Sequence, residues 1–301
     1  MAGYLQSSGA IALSEINSVF DGRGLNLNAY RGTSWFTAAG GSGTFSSGAI
    51  SFSDFYSKGP TSATFSFTIS SNQTNANLRT LAVNAGWNQS SAVNATISGG
   101  VIVYSTSTGT PALTINGSFP GGVTLVNNGT ILGKGGAAGN GRPFATTSSA
   151  YNGSAGGLAL SVSVGVSINN GSGRIAGGGG GGGGGQGGTY NPGKGPSTNI
   201  PGGGGGGGIG QGAGGASGGG NSAAGGAGTL IASGTGGNGG TGAGLTGGRG
   251  GDGGSYGSAG ANGGVGTIGG TPPTGGAAGG AITGNGNISW IAFGTRNGGI
   301  S

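Results

Sequence analysis

Four carboxylates, ten cations and no histidine or cysteine make up the charged and metal-binding chemistry of this 301-residue chain. Cleaving a glycosidic bond takes two carboxyl groups held roughly 5–10 Å apart. Glu15, Asp21, Asp54 and Asp252 include no close pair in sequence, and the first three lie before residue 60. Without histidine there is no side chain that ordinarily titrates near neutrality, and without cysteine no thiolate ligand or disulfide framework. A G-x-x-x-x-G-K-[ST] phosphate loop is absent. Where glycine is the bulk material, a stray G-x-G match carries no information. The sequence therefore predicts no enzyme, with no catalytic, cofactor-binding or metal-binding residue.

The chemistry that remains is recognition. Where glycine gives way to larger side chains, Arg142, Phe144, Tyr151 and Asn152 form one interruption. A longer one runs from Thr189 to Pro201 and carries Tyr190, Asn191, Lys194 and Asn199. Tyr256 and the Thr271-Pro272-Pro273-Thr274 stretch are smaller candidates. Tyrosine offers a broad contact with a polar tip at low entropic cost, and proline partly pre-organises a loop. These are the candidate receptor-binding residues. Arg142, Arg174, Lys194, Arg249 and Arg296 are too widely spaced for a phosphate-tracking patch, so nucleic acid is not expected as a partner despite the net charge of +6.

Such loops need a scaffold. Glycine supplies 88 of the 301 residues, and 59 of the 125 between 177 and 301. Segments such as Gly236-Gly237-Asn238-Gly239-Gly240 and Gly247-Gly248-Arg249-Gly250-Gly251 approximate Gly-Gly-x. An extended three-residue-per-turn backbone has no internal hydrogen bonds, so its amides must pair laterally or with water. With glycine on two faces of every turn, neighbouring chains can approach closely enough to pair. The spacing predicts a polyglycine-II helix bundle with loops over 177–301, its glycine motifs beginning near 133, and rigid over 236–254.

Residues 60–176 read as a β-rich connector. Ala63–Ile69 alternates, Leu78–Val83 does so less cleanly, and 101–104, 112–115 and 123–126 suggest further strands. Pro111–Gly136 returns in altered form as Leu158–Gly177, in the order strand, turn, strand, Asn-Asn corner, short strand and glycine run. Stacked units of that kind predict a β-layer or short solenoid-like region. Ile288, Trp290, Ile291 and Phe293 read as a last strand returning to the fold.

Residues 1–59 hold a second repeat: Ser8-Gly9-Ala10-Ile11-Ala12-Leu13-Ser14-Glu15-Ile16 recurs 39 positions later as Ser47-Gly48-Ala49-Ile50-Ser51-Phe52-Ser53-Asp54-Phe55. Ser14 and Ser53 are expected to cap short helices, with the acids in the first turn. The apolar set is small for a free-standing core, which points to a protein partner. Ile11, Leu13, Ile16, Phe20, Tyr30, Trp35, Phe52 and Phe55 are the candidate assembly contacts. The opening shows no basic, apolar secretory signal, and no stretch approaches ~20 apolar residues, so an integral membrane protein is not expected.

The duplicated module, together with Leu27-Asn28-Ala29-Tyr30-Arg31-Gly32, resembles small modules of tail and baseplate-associated proteins of tailed bacteriophages. The glycine runs separated by unlike loops resemble the distal tail-fibre adhesins of T-even-like phages. That resemblance implies a virion protein of the distal tail or fibre, assembled in the host cytoplasm. It implies attachment to a phage tail, baseplate or trimeric fibre-tip protein, and host-cell attachment through loops that bind a bacterial outer-membrane protein or surface polysaccharide. The predicted fold is mainly β and irregular: a small N-terminal attachment module at 1–59, the β-rich connector at 60–176, and the glycine-rich receptor-binding domain at 177–301. The alternative is a glycine-rich structural protein of the tail tip or of a cell-wall matrix, without receptor recognition of its own.

Overall fold

The computed structural model describes residues 4–20, 22–37, 41–60, 64–89, 91–143 and 151–301. The fold is mainly β with few helices. Two compact units divide the chain: residues 1–67, 79–95 and 117–124 form one, and 68–78, 96–116 and 125–301 the other.

In the first unit the two copies of the N-terminal repeat build one shared core. The α-helix Leu13–Val19 comes from the first copy and the 3-10 helix Phe52–Phe55 from the second. The caps differ from those expected. Ala12 and Ser51 hold the N-cap positions, and Ser14 and Ser53 lie inside the helices. Each acid reaches back to the cap amide: Glu15 Oε2 accepts from Ala12 N–H at 2.7 Å, and Asp54 Oδ2 from Ser51 N–H at 2.6 Å. The repeat thus preserves an acid three residues after the cap, where its carboxylate satisfies an otherwise orphaned donor.

Phe20 sits edge-on to Tyr30, Phe45 and Phe55, with ring centroids 6.0, 5.6 and 5.8 Å away. Tyr30 keeps its hydroxyl satisfied by donating to Gly24 O at 2.8 Å. Beside this core, the antiparallel sheet has Ser34–Thr37 between Ser42–Thr44 and Lys58–Gly59. Leu78–Asn84, expected as a strand, is an α-helix, because Leu78 and Ala82, one helical turn apart, are both buried. The strand Ala92–Ile97 escaped notice in the sequence, although Val93, Ala95 and Ile97 alternate inward.

From Thr64 on, the chain visits three sheets in turn. Gln73–Thr74, Ile102–Tyr104, Thr130–Leu132, Arg174–Ala176 and Thr295–Asn297 pair in parallel in that order. Ala76–Asn77, Leu113–Ile115, Leu160–Val162 and Ile282–Thr283 do the same. A third sheet has the order Ile288–Ala292, Val166–Asn169, Val123–Asn127, Ala92–Ile97 and Thr64–Ile69. Val103, Ile131 and Ile175 line up in register within the first sheet, and Leu113, Leu160 and Ile282 within the second, all buried. At one corner two fully buried asparagines stack. Asn127 Nδ2 donates to Asn170 Oδ1 at 2.7 Å, and Asn170 Nδ2 to Phe293 O at 2.7 Å.

The link from the first sheet to the second lengthens with each circuit. It is Asn75 alone, then 105–112, then 133–159, then 177–281. The last two links carry the glycine segments. Running away from the strands are 133–142, 177–187, 212–218, 234–240 and 260–264, and returning are 151–159, 201–209, 223–229, 247–254 and 273–280.

Segment 177–187 shows how they bond. Gly178, Gly181 and Gly184 donate to Gly157, Ser154 and Tyr151; Gly179, Gly182 and Gly185 donate to Ile209, Gly206 and Gly203; Gly180, Gly183 and Gln186 donate to Ser258, Ala261 and Gly264. Its carbonyls accept from three further segments, through Gly136 and Gly139, Gly276 and Gly279, and Gly251 and Gly254. Segment 201–209 is likewise bonded to six neighbours. These two carry the uninterrupted glycine runs, and both are buried along their length. A methyl group on Gly180, Gly181 or Gly182 would lie 2.0–2.1 Å from a carbonyl oxygen of a different neighbour in each case.

On outer segments some positions carry side chains, and these replace missing backbone acceptors. Asn140 Oδ1 accepts from Ala216 N–H at 2.9 Å, Asn262 Oδ1 from Gly275 N–H at 2.9 Å, and Asp252 Oδ1 from Gly236 N–H at 2.8 Å. Asp252 also pairs with Arg249 at 2.5 Å. The hydrogen bond from Arg249, and then that from Gly236, hold its carboxyl below the ordinary 3.8.

Two measurements test this account. Gly182→Ala should destabilise the glycine segments by ~1–3 kcal/mol, since the added methyl would meet the Gly251 carbonyl oxygen. Gly226→Ala, whose methyl would have 3.5 Å to its nearest neighbour, should be neutral or stabilising by ~0.4–1 kcal/mol. A thermal melt with hydrogen exchange of the 203–207 amides compares them, and equal effects would rule out close packing as the cause. The second concerns pH. A carboxyl with a lowered folded pKa contributes stability above its unfolded value and loses it as pH falls through the folded one. Exchange at Gly236 should therefore accelerate below about pH 3.8 in the native chain, and Asp252→Asn should flatten that dependence.

Candidate recognition surface

Because the glycine segments alternate in direction, the connections sort to two ends. At the strand end the turns are short: 210–211, 230–233 and 255–259. At the far end lie 188–200, 219–222, 241–246 and 265–272. Of these, 188–200 is the longest. Gly188–Tyr190 and Thr198–Ile200 pair antiparallel, with Ile200 fully buried at the base. Thr241–Gly242 and Leu245–Thr246 form a second hairpin around Ala243 and Gly244, both at positive φ (54° and 76°), as a two-residue turn of this hand requires.

Most of the candidate receptor-binding residues gather at this end. Tyr190 is 40% exposed on the first hairpin. Asn191 shapes the hairpin tip by accepting from Gly193 N–H at 3.1 Å, and Lys194 stands exposed in the same tip. Asn199 Oδ1 accepts from the Thr189 hydroxyl at 3.0 Å. Asn152 is spent on scaffold, its Oδ1 accepting from Thr274 N–H at 3.0 Å. Arg142 is half-buried, donating through Nη1 to Gln186 Oε1 at 2.6 Å and lying 5.5 Å over the Tyr151 ring. Phe144 lies outside the described residues. Tyr256 is not brought to this end: it sits in a strand-end turn, its ring 4.3 Å below the Arg174 guanidinium and its hydroxyl directed at Leu230 O.

Gln186 was missed in the sequence, though it alone interrupts the glycine run 177–188. It is 6% exposed, and its Nε2 donates to Gly187 O at 3.0 Å. Beside it opens a hollow of about 390 Å³, lined by Gln186–Tyr190, Leu245, Thr267, Gly269 and Gly270.

The candidate assembly residues divide by burial. Ile16, Phe20, Tyr30 and Phe55 are fully buried in the module's own core, which leaves them no surface to offer a partner, a correction to their reading as contacts. Ile11, Leu13 and Trp35 pack partly against that core, and Phe52 is 41% exposed. Among the described residues no three acids, histidines or cysteines come together as a metal site, and no helix is long and apolar enough to cross a membrane.

The Gp38 family of phage tail fibre adhesins matches the sequence over residues 64–301. Among solved structures, the chain is similar to the gp37-gp38 adhesin tip complex of the bacteriophage S16 long tail fibre, with a TM-score of 0.53 and 26% identity. That similarity covers 84% of this chain and 87% of the other. No curated protein matches it. The family match spans these three sheets and every glycine segment, and the chain belongs to the Gp38 family of phage tail fibre adhesins.

Proposed function

We propose that this tail fibre adhesin binds a bacterial surface receptor through the loops at the far end of its glycine segments. The observation that carries the reading is the sorting of connections. Turns of two to five residues face the strands, while the longer and chemically varied 188–200, 241–246 and 265–272 share the opposite end with the four-residue 219–222, and bring Tyr190, Asn191, Lys194 and Asn199 there. We read the segments as polyglycine-II helices and the stacked sheets as a short solenoid. Amides that turn to a new neighbour at each residue support the first, and strands paired in parallel through successive circuits support the second. In this scheme 177–301 is the receptor-binding domain, 60–176 the connector and 1–59 the attachment module. The receptor is an outer-membrane protein or surface polysaccharide, and no catalytic step is involved.

The partner of the N-terminal module is a fibre-tip protein. Similarity to a gp37-gp38 complex supports that class of partner, and the exposed side of the N-terminal module, including Phe52, offers it a surface. Deleting residues 1–59 should abolish incorporation into particles while exchange protection over 177–187 persists. Normal incorporation of the deleted chain would remove the attachment role. At the far end, Tyr190→Ala with Lys194→Ala should reduce adsorption to susceptible cells by more than changes at Thr271 and Thr274, without altering the melt. A contact at the centre of such a site is worth ~2 kcal/mol, about thirtyfold in affinity, and a rim contact far less. Unchanged adsorption by the folded double variant would move the site elsewhere.

A further inference from the structure

The hollow beside Gln186 has a chemistry of its own. It lies where the central segment 177–187 ends and the connections on either side continue, so its floor belongs to the most densely bonded part of the chain. Gln186 N–H still donates to Gly264 O at 2.9 Å, and Gln186 O accepts from Gly248 N–H at 2.8 Å. Gly270, at φ +103°, leaves the space above the Gln186 amide open on one wall. The lining contains no charged side chain. Arg142, outside the lining, donates through Nη1 to Gln186 Oε1 at 2.6 Å.

We propose that this hollow binds one uncharged sugar ring of a bacterial surface polysaccharide, an inference that rests on the far end being the recognition surface. Its volume of about 390 Å³ falls in the lower range of ligand pockets, roughly 300–1,000 Å³. A sugar ring presents an apolar C–H face and a rim of hydroxyls, and the hollow has a counterpart for each. Tyr190 and Leu245 supply apolar wall, while Thr189 and Thr267, whose hydroxyl protons go to Asn199 Oδ1 and Thr246 O, supply acceptors for the sugar's hydroxyl protons. An anionic group would shed water on entry and find no cation in the lining to replace it. Because the floor is already ordered by backbone bonds, little is lost in fixing it around a ligand.

The test uses the full chain and saturation-transfer difference NMR, with D-glucose, D-galactose and N-acetylglucosamine as probes and N-acetylneuraminate as the charged comparison. Transfer to the ring protons of at least one neutral sugar is expected. Leu245→Trp, which fills the hollow, should weaken it about tenfold, while Tyr190→Phe, which keeps the wall, should retain it. Leu245→Phe serves if the tryptophan variant does not melt like the parent. No transfer to any neutral sugar, transfer only to N-acetylneuraminate, or undiminished transfer in a folded filled variant overturns the proposal. Cell adsorption by the same proteins separates the two readings. If the Tyr190 and Lys194 changes abolish adsorption while no neutral sugar shows transfer, the sugar site fails and the recognition surface stands. Adsorption indifferent to every change at this end sinks the surface itself.

Discussion

An extended glycine segment has no hydrogen bonds of its own, and that single deficit organises the larger part of this molecule. Every N–H and C=O must be met by a neighbour. The neighbour can come close enough only where no Cβ stands between. A segment with six bonded neighbours can therefore carry almost nothing but glycine, as 177–187 and 201–209 do. Outer segments have fewer neighbours and regain side chains on the faces left open. Asn140, Asn262 and Asp252 then serve as detached carbonyls for amides whose backbone partner is missing. Glycine loses more freedom on folding than any other residue, so this arrangement holds only when the bonds form together.

The parallel sheets supply the boundary condition. Each circuit returns the chain to the same edge, and register is fixed on both sides of the link, by Ile131 beside Ile175 and by Leu113 beside Leu160. A link can then grow from one residue to more than a hundred without disturbing the circuits above and below it. Buried Asn127 and Asn170 hold the corner before the long links with bonds that satisfy each other and the next turn of backbone.

Much of this was legible in the residues. The related stretches at 111–136 and 158–177 contain strands that lie side by side, and the acid of the N-terminal repeat was visible, although its serine was given the role the acid performs. Other features depended on partners that no local pattern reveals. Leu78–Asn84 has enough branched and polar residues to imitate a strand, and only the burial of Leu78 and Ala82 on one face decides otherwise. Ile16, Phe20 and Phe55 read as contacts for another protein because the two copies of the repeat could not be seen to cover each other. Tyr256 resembled Tyr190 in its glycine setting, yet lies at the opposite end, since which end a turn occupies depends on how many segments precede it. Gln186 was a single polar letter in a monotonous run, and its meaning lies in where the run stops.

The scarcity of buried apolar groups in the glycine segments sets how the far end responds to temperature. Between residues 177 and 280, Ile200, Pro201, Ile209 and Pro273 are the buried apolar side chains larger than alanine among the described residues. Unfolding there exposes chiefly peptide groups. Apolar exposure raises the heat capacity by ~0.45 cal/mol/K per Å² and polar exposure lowers it by ~0.26, so the two nearly cancel or reverse in such a segment. Its stability curve is correspondingly flat, with no cold limb of the kind that a fading hydrophobic effect produces. The aromatic module around Phe20 has the opposite composition and the steeper curve. Cooling therefore weakens the glycine segments less than the aromatic module, and the loops keep their spacing under conditions that loosen the hydrophobic core at the start of the chain.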